Sequence, residues 1–282
     1  MNKHLIRGIR YVPSLPTVLA QILSLLNDEN SRAADLERII KNDQALTSKV
    51  LAVANSAYYG FRYQILSVQR AVVALGYEEV RNICLGASLM GFLNPSIFKD
   101  KKAAEQLWLH SLAVAEATRL ICEKTSACDQ DISFTAGLLH DLGKVVLSAF
   151  FPEIQDAVQE CMEKEGRNYL QAEKAQDAEH GQVGMALAEY WELPPVMGEV
   201  MAYHHNYTVK TSYAHLVGAV HVADYLSHAV KLGESGNPGP IILDGKYLEN
   251  LGFDRQTVGA LSLDLNDRKE AVLDLWQTLL NV

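Results

Sequence analysis

Apolar residues recur along most of the chain at intervals of three and four positions, the spacing that lines one face of an α-helix. The segment after Pro16 shows this spacing at Val18, Ile22 and Leu25. No convincing run alternates between apolar and polar residues as a strand does. The pattern predicts an all-α protein, built as a multi-helix bundle.

Short helices with recognisable ends are predicted in the first third of the chain. Ser31, Asp43 and Ser67 each stand just before an apolar-periodic segment, where a side-chain oxygen can accept hydrogen bonds from the free N–H groups of the first turn. Gly76 is expected to end the helix that follows Ser67. The segment Tyr77–Leu89 is predicted to be its antiparallel neighbour.

The stretch Asn94-Pro95-Ser96 interrupts this pattern and predicts a boundary. We expect residues 1–95 to form an N-terminal helical part and residues 96–282 a larger helical part that includes the C-terminal helices, the two packed as one unit. The helices predicted in the larger part are Ala103–Lys124, Ser133–Phe151, Ile154–Lys164, Asn168–Gln176, His180–Trp191, Val196–His205, Tyr213–Leu232, Asp254–Leu261 and Asn266–Leu280.

Composition and charge narrow the function classes. The chain has 282 residues with 25 Lys+Arg and 34 Asp+Glu, and the resulting net charge of -9 disfavours nucleic acid as a partner. The start of the chain lacks an apolar stretch of signal-peptide length, and no uncharged run is long enough to span a bilayer, so no membrane association is predicted. Four cysteines form no CxxC pair and are interpreted as reduced thiols. We expect a cytoplasmic protein.

Histidine is the unusual component of the sequence, with nine residues. His110 lies on an apolar helix face, and His140 and Asp141 stand side by side in the apolar run AGLLHDLGKVVL. Burial of these groups is costly unless they are paired or bind a metal. Adjacent helical residues point about 100° apart, so both can reach one ion between them. Lys144 follows His140 by one helical turn and is expected to lie over the same position, and Gly143 is expected to keep the surface there open.

Three further histidines and a second aspartate fall on inward helix faces: His180, His204, His205 and Asp224. Together with His110, His140 and Asp141 they form a mixed nitrogen and oxygen set that suits Fe, Mn, Zn or Ni. Seven ligands exceed the need of one tetrahedral ion, which favours two ions. The other four histidines are interpreted as ordinary: His4, His215, His221 and His228.

This order of residues resembles a known superfamily. His, then His-Asp followed by Leu-Gly-Lys, then His, His-His and Asp is similar to the ligand set of the HD-domain metal-dependent phosphohydrolases, in particular the binuclear HD-GYP branch. The segments LPTVLAQILSLLNDE, IIKNDQALTSKVLAVANSAYYG and SVQRAVVALGYEEVRNICLG resemble the HDOD domain, a helical signalling domain of bacteria. Together these motifs cover roughly positions 11 to 230.

The resemblance implies roles for particular residues. The seven residues match the superfamily's metal ligands by position, and Lys144 matches the lysine that contacts a phosphate. Many HDOD proteins have lost some ligands and are non-catalytic, so a full set favours a bound metal, Fe or Mn first and Zn or Ni as alternatives. The chain has His205-Asn206-Tyr207-Thr208-Val209-Lys210 in place of the Gly-Tyr-Pro signature, and Gln106 where some relatives carry an acidic ligand. Neither cyclic di-GMP hydrolysis nor a third metal is therefore implied.

Two hypotheses of different class follow. In the first, the protein is a bacterial HDOD-type regulatory protein that acts through contacts with a signalling partner, and the metal holds helices together. In the alternative, it is a metal-dependent phosphohydrolase acting on a phosphorylated small molecule or nucleotide, in which Lys144 neutralises the charge that develops on the phosphoester. An open coordination position distinguishes the second from the first.

Overall fold

The computed structural model describes residues 5, 8–26, 31–94, 97–125, 128–206, 209–237 and 241–281. The protein is 72% helical, and none of these residues forms a strand, which confirms the all-α prediction. The chain divides into two compact units. The larger unit contains Met1–Ser14 and Pro95–Asn266, and the smaller one Leu15–Asn94 and Asp267–Val282.

The smaller unit is a set of mostly short helices with the caps that the sequence indicates. Its helices are α1 (Thr17–Ser24), α2 (Ala33–Lys41), α3 (Gln44–Ala54), α4 (Val68–Leu75), α5 (Tyr77–Phe92) and the last helix of the chain, α16 (Lys269–Asn281). Asp43 accepts a hydrogen bond from the Leu46 N–H at 2.9 Å, and Ser67 accepts one from the Arg70 N–H at 3.2 Å. The prediction for Ser31 is wrong, because Arg32 occupies the cap position of α2 and the Ser31 oxygen accepts a hydrogen bond from the Tyr77 hydroxyl at 2.8 Å. The Ser31 hydroxyl itself donates to the Leu25 carbonyl.

The larger unit contains the remaining helices: α6 (Lys101–Lys124), α7 (Gln130–Leu139), α8 (Leu142–Phe150), α9 (Pro152–Glu165), α10 (Tyr169–Ala175), α11 (His180–Tyr190), α12 (Pro195–Tyr203), α13 (Ala214–Ala229), α14 (Gly245–Leu251) and α15 (Arg255–Asp267). Helices α6 and α13 pack against each other and are buried on most sides. Helix α11 packs on α8 and α12. Polar residues on the inward sides of these helices therefore face one another in the interior.

The predicted helix Ser133–Phe151 is wrong as a single element. It consists of α7 and α8, which are separated by His140 and Asp141. Periodicity could not reveal this break because the apolar run continues through it on both sides. The sequence also gave no indication of α14.

The two ends of the chain do not belong to the units that the predicted division at residues 95 and 96 assigns them to. Residues 267–282 pack in the smaller unit, where Val272, Trp276 and Leu279 are buried, and residues 1–14 belong to the larger one. Of the predicted boundary, Pro95 and Ser96 lie outside the described residues. In the described part of the chain no single helix has the length and hydropathy of a membrane span. The segments Gln130–Phe150 and Pro152–Glu165, which are bent by 106° relative to each other, meet these criteria only when taken together.

Candidate metal centre

The larger unit holds a buried cluster of histidines and aspartates. His110 lies on α6, Asp224 lies on α13, and His140 and Asp141 occupy the junction of α7 and α8. The other three are placed by helix ends: His180 begins α11, and His204 and His205 follow the last residue of α12. The structure thus brings all seven predicted ligands together, and only His205, with 13% of its side chain exposed, lies outside the fully buried class.

Asp141 lies at the middle of this cluster. Its Oδ1 is 3.4 Å from His180 Nε2 and 3.6 Å from His204 Nε2. Its Oδ2 is 3.3 Å from His140 Nε2 and 3.9 Å from His110 Nε2. Each carboxylate oxygen therefore faces a different pair of imidazoles, which is the arrangement that a carboxylate bridging two cations requires.

Asp224, on α13, also lies near a histidine from each of these two pairs or their neighbours. Its Oδ1 lies 3.0 Å from His110 Nε2, and its Oδ2 lies 3.9 Å from His205 Nε2. The two aspartates together give the cluster two half-sites, one around His110 and His140 and the other around His180, His204 and His205.

Hydrogen bonds on the outer ring nitrogens fix which nitrogen faces inward. His140 Nδ1 donates to the Gly137 carbonyl at 2.8 Å, and His204 Nδ1 donates to the Met201 carbonyl at 2.9 Å. Carbonyl oxygens only accept hydrogen bonds, so in the neutral form of either ring Nε2 carries the lone pair and points to the centre. Metal-binding histidines are commonly oriented in this way.

Several buried atoms that point into the cluster have no hydrogen-bond donor facing them. Three buried inward atoms have no hydrogen-bond partner among the described residues: His140 Nε2, His205 Nε2 and Asp141 Oδ1. Unpaired lone pairs and carboxylate oxygens at this depth are costly unless a cation lies between them. Three sets have their donor atoms within 4.8 Å of one another. They are Asp141 with His180, His204 and His205; Asp141 with His110 and His140; and Asp224 with His110 and His228. The residues present fit a metal centre.

Lys144 places a positive charge at the edge of the cluster. Its Nζ donates to Asp141 Oδ2 at 2.7 Å and lies 5.2 Å from the centre of the Tyr169 ring. Burial opposes its charge, but Asp141 beside it outweighs burial and raises the pKa of Lys144. Burial likewise opposes ionisation of Asp141, but His140 and Lys144 hold the pKa of that carboxyl well below its usual range. The pair is ionised at neutral pH.

Several of the imidazoles are held neutral, the form that binds metals. Burial lowers the pKa of His204 to about 4, and it also lowers the pKa of His110 and of His205. His140 is the exception, because Asp141 offsets the effect of burial and raises the pKa of that ring.

The structure adds two residues that the sequence analysis missed. Glu173, fully buried on α10, accepts a hydrogen bond of 2.6 Å from His180 Nδ1 and so orients that ring. His228, interpreted above as ordinary, has its Nε2 3.8 Å from Asp224 Oδ1 and shares a hydrogen bond of 2.8 Å with Ser235 Oγ. A spacing of four from Asp224 on one helix could have revealed His228, whereas nothing in the sequence marks Glu173.

The role expected for Gly143 is wrong. A Cβ atom at this position would lie 2.0 Å from the His180 carbonyl oxygen, so the missing side chain lets the backbones of α8 and α11 approach closely. The glycine does not keep a surface open. It brings the His140–Asp141 junction up to His180.

Comparison with known proteins identifies the class. The sequence matches the HDOD domain family over residues 12–207, more than half of the chain, and the protein belongs to this family. A protein of Treponema pallidum (strain Nichols) is 27% identical over 199 residues, which cover 69% of this chain but 38% of that protein. The chain thus matches well under half of the length of this relative.

Solved structures share the fold. An HDOD domain protein of unknown function from Geobacter sulfurreducens has a TM-score of 0.75 and 25% identity, with 97% of this chain and 96% of that chain covered. A candidate phosphohydrolase from Shewanella amazonensis SB2B has a TM-score of 0.78 and 20% identity, with 98% of both chains covered. A candidate signal transduction protein from Marinobacter aquaeolei VT8 has a TM-score of 0.80 and 21% identity, with 99% of this chain and 62% of that chain covered.

Proposed function

We propose that this chain is a bacterial HDOD-type regulatory protein whose histidine and aspartate cluster holds divalent transition-metal ions. The observation that carries the proposal is the group of three buried inward atoms, His140 Nε2, His205 Nε2 and Asp141 Oδ1, without a hydrogen-bond partner in the described part of the chain. A cluster maintained only for packing would have its polar atoms paired with one another. The cation would replace the missing protons and offset the two buried carboxylates.

The two half-sites support a pair of ions. Asp141 would contribute one oxygen to each, with His110, His140 and Asp224 completing one half-site and His180, His204 and His205 the other. Neutral imidazoles combined with carboxylates suit iron or manganese, with zinc and nickel as alternatives.

Regulation through protein contacts is the proposed role of the whole chain. Membership of the HDOD family supports it, and the net charge of -9 gives no support to nucleic acid as the partner. The four cysteines are buried and unpaired, which supports the proposal of a reducing, cytoplasmic location. The partner expected is another signalling protein.

A second candidate function, hydrolysis of a phosphoester, is favoured by one observation. Lys144 is charged, buried and hydrogen-bonded to the proposed bridging carboxylate. When bound, the metal ions would supply Lewis-acid activation of a phosphoester and of water. Lys144 would hold one phosphoryl oxygen and neutralise charge as it develops there. A phosphorylated small molecule or nucleotide is the substrate class proposed, and cyclic di-GMP is not.

Elemental analysis of protein purified without chelators tests the metal proposal. We expect iron, manganese, zinc or nickel in near-stoichiometric amounts, and loss of the metal from the double variant His140→Ala, Asp141→Ala. His215→Ala is the matched control, because this histidine is exposed and lies outside the cluster. Wild-type protein that stays metal-free after reconstitution would refute the proposal.

The two functions are separated by turnover. Release of phosphate or nitrophenol from generic monoesters, diesters and nucleotides, abolished in the double variant, would establish the phosphohydrolase. A metal-loaded protein that leaves all of these substrates intact supports the regulatory role.

A further inference from the structure

His228 lies at the edge of the metal centre, where the cluster meets solvent. Its Nε2 is 3.8 Å from Asp224 Oδ1, and its side chain is 21% exposed, more than that of any of the seven predicted ligands. It lines a cleft of about 450 Å³ whose walls include Gln106, Glu234 and Ser235. None of the seven predicted ligands lines this cleft. His228 therefore connects the buried cluster with solvent.

The distance between His228 and Asp224 fits two ligands of one cation. At 3.8 Å, Nε2 and Oδ1 are too far apart for a hydrogen bond. Two ligand atoms that each lie about 2.1 Å from an ion are about 3.0–4.2 Å apart for angles of about 90–180° at the ion. His110 Nε2 lies 3.0 Å from the same Oδ1, and one donor atom from each of the three residues lies within 4.8 Å of the others. This spacing allows one cation to contact all three.

The hydrogen bonds around His110 direct a lone pair of that ring toward Asp224. The Ser227 hydroxyl donates its only proton to the Leu232 carbonyl at 2.9 Å. The 3.2 Å hydrogen bond between Ser227 Oγ and His110 Nδ1 must therefore be donated by the imidazole. In the neutral ring Nε2 then carries the lone pair, and it faces a carboxylate oxygen at 3.0 Å that also has only lone pairs. Two such atoms repel each other unless a cation lies beside both.

The Ser235 hydroxyl leaves His228 Nε2 available to a cation. Ser235 Oγ accepts a hydrogen bond from the Asn237 N–H at 3.3 Å and lies 2.8 Å from His228 Nε2. Its own proton is not used by Asn237, so the hydroxyl can donate to Nε2, which carries the lone pair in that form of the neutral ring. A hydroxyl proton rotates about the Cβ–Oγ bond, so a cation can replace this hydrogen bond without moving the backbone.

We propose that His228 is a further metal ligand, which holds the ion of the half-site around His110 and His140 from the side of the cleft. The inference rests on the proposed function, because it needs an ion in that half-site. It adds an eighth ligand to the seven that the sequence indicates. It also places the opening through which this ion exchanges with solution at the cleft lined by His228 and Ser235.

Titration of the metal-free full chain with Co²⁺, followed by equilibrium dialysis and by visible absorption, tests the proposal. Wild-type protein should bind two ions per chain. His228→Ala should bind one of them about 100-fold or more weakly, because loss of a residue that merely orients a ligand already costs about 10–100-fold. The d–d absorption of that ion should also change, because it loses a nitrogen ligand. A residue with a purely structural role would not alter this signal.

Ser235→Ala is the matched control. It removes the same hydrogen bond between residues 228 and 235 but leaves the imidazole in place. This variant should keep both ions with the affinity of wild type, since the hydroxyl only competes with the cation for Nε2. His228→Gln is the second variant if His228→Ala fails to fold. Its amide keeps a polar group beside Ser235 but lacks the imidazole nitrogen that suits these metals, so it should also lose the ion.

The outcomes separate this inference from the metal proposal. Two ions bound equally tightly by wild type and by both His228 variants would overturn the role of His228 and leave the metal centre in place. Equal weakening in His228→Ala and Ser235→Ala would overturn it as well, because their shared effect is the loss of one hydrogen bond. A wild-type chain that binds no Co²⁺ would overturn both proposals. Weakening confined to the His228 variants, with a changed Co²⁺ spectrum, establishes His228 as a ligand.

Discussion

Helices α8 and α11 can approach as they do because residue 143 has no side chain, and Gly143→Ala tests this directly. The added Cβ atom would lie 2.0 Å from the His180 carbonyl oxygen and 2.8 Å from its carbonyl carbon. Ordinary contact begins near 3.4 Å, so the two backbones must separate by about 1.4 Å. Because the opposing atoms are backbone, no rotamer change can relieve the contact.

The expected loss of stability follows from two opposing effects. Overpacking a core costs about 1–3 kcal/mol, and a clash between backbones belongs at the upper end of that range. Alanine in place of glycine within a helix returns about 1 kcal/mol. The net effect is a loss of about 2 kcal/mol, equivalent to a melting temperature about 4–8 °C lower for a unit of this size.

Thermal unfolding followed by circular dichroism measures this loss, with Gly259→Ala as the control. Gly259 lies within α15 of the same unit and has open space around its Cα, so alanine there should stabilise by about 0.5–1 kcal/mol. Elemental analysis of Gly143→Ala should also show less metal, because His180 is pushed away from Asp141. A Gly143→Ala protein as stable as wild type and with full metal content would refute the packing argument.

Three other predictions concern hydrogen bonds and protonation. Glu173→Gln should weaken metal binding about 10–100-fold in a chelator competition, because His180 loses its carboxylate partner, whereas the exposed Glu163→Gln should have no effect. Metal-free protein should lose about 3 kcal/mol of stability between pH 6.5 and 4 because of His204 alone. The pKa of this side chain is near 6.5 in the unfolded chain and about 4 in the folded protein, so the unfolded state binds the proton first as the pH falls. The contribution of neutral His204 to the free energy of unfolding is therefore complete above pH 6.5 and is lost at lower pH. Melting temperatures that are unchanged from pH 7 to pH 4.5 would contradict this. Asp43→Ala should cost about 1 kcal/mol in urea unfolding by removing the cap of α3, and an unchanged midpoint would show that the cap contributes nothing.

Local signals accounted for much of the fold. The absence of alternating runs and the three-to-four spacing predicted helices, and Asp43 and Ser67 cap theirs as expected. Such effects depend on a few neighbouring residues and can be read directly from the chain. Ser31 shows their limit, because the same type of residue instead donates to the carbonyl of Leu25.

The candidate site was predictable only where its chemistry conflicts with its surroundings. Polar residues within apolar runs, such as His140 and Asp141, indicate burial with a partner, whatever that partner is. Glu173 gave no such signal, because a glutamate on a short helix is ordinary until the fold buries it against His180. His228 was misjudged because its distance from Asp224 depends on side-chain direction as well as on spacing.

By itself, the sequence determined that the chain is helical and that it carries a net charge of -9. It also determined that five histidines and two aspartates lie on helix faces that are otherwise apolar. Only the tertiary structure decided that these residues meet, that Asp141 faces both half-sites and that His228 lies beside Asp224. Helical periodicity determines which face of each helix is buried. It carries no information about which buried faces meet, because that depends on close approaches such as the one at Gly143, where an absent atom sets the distance between two helices.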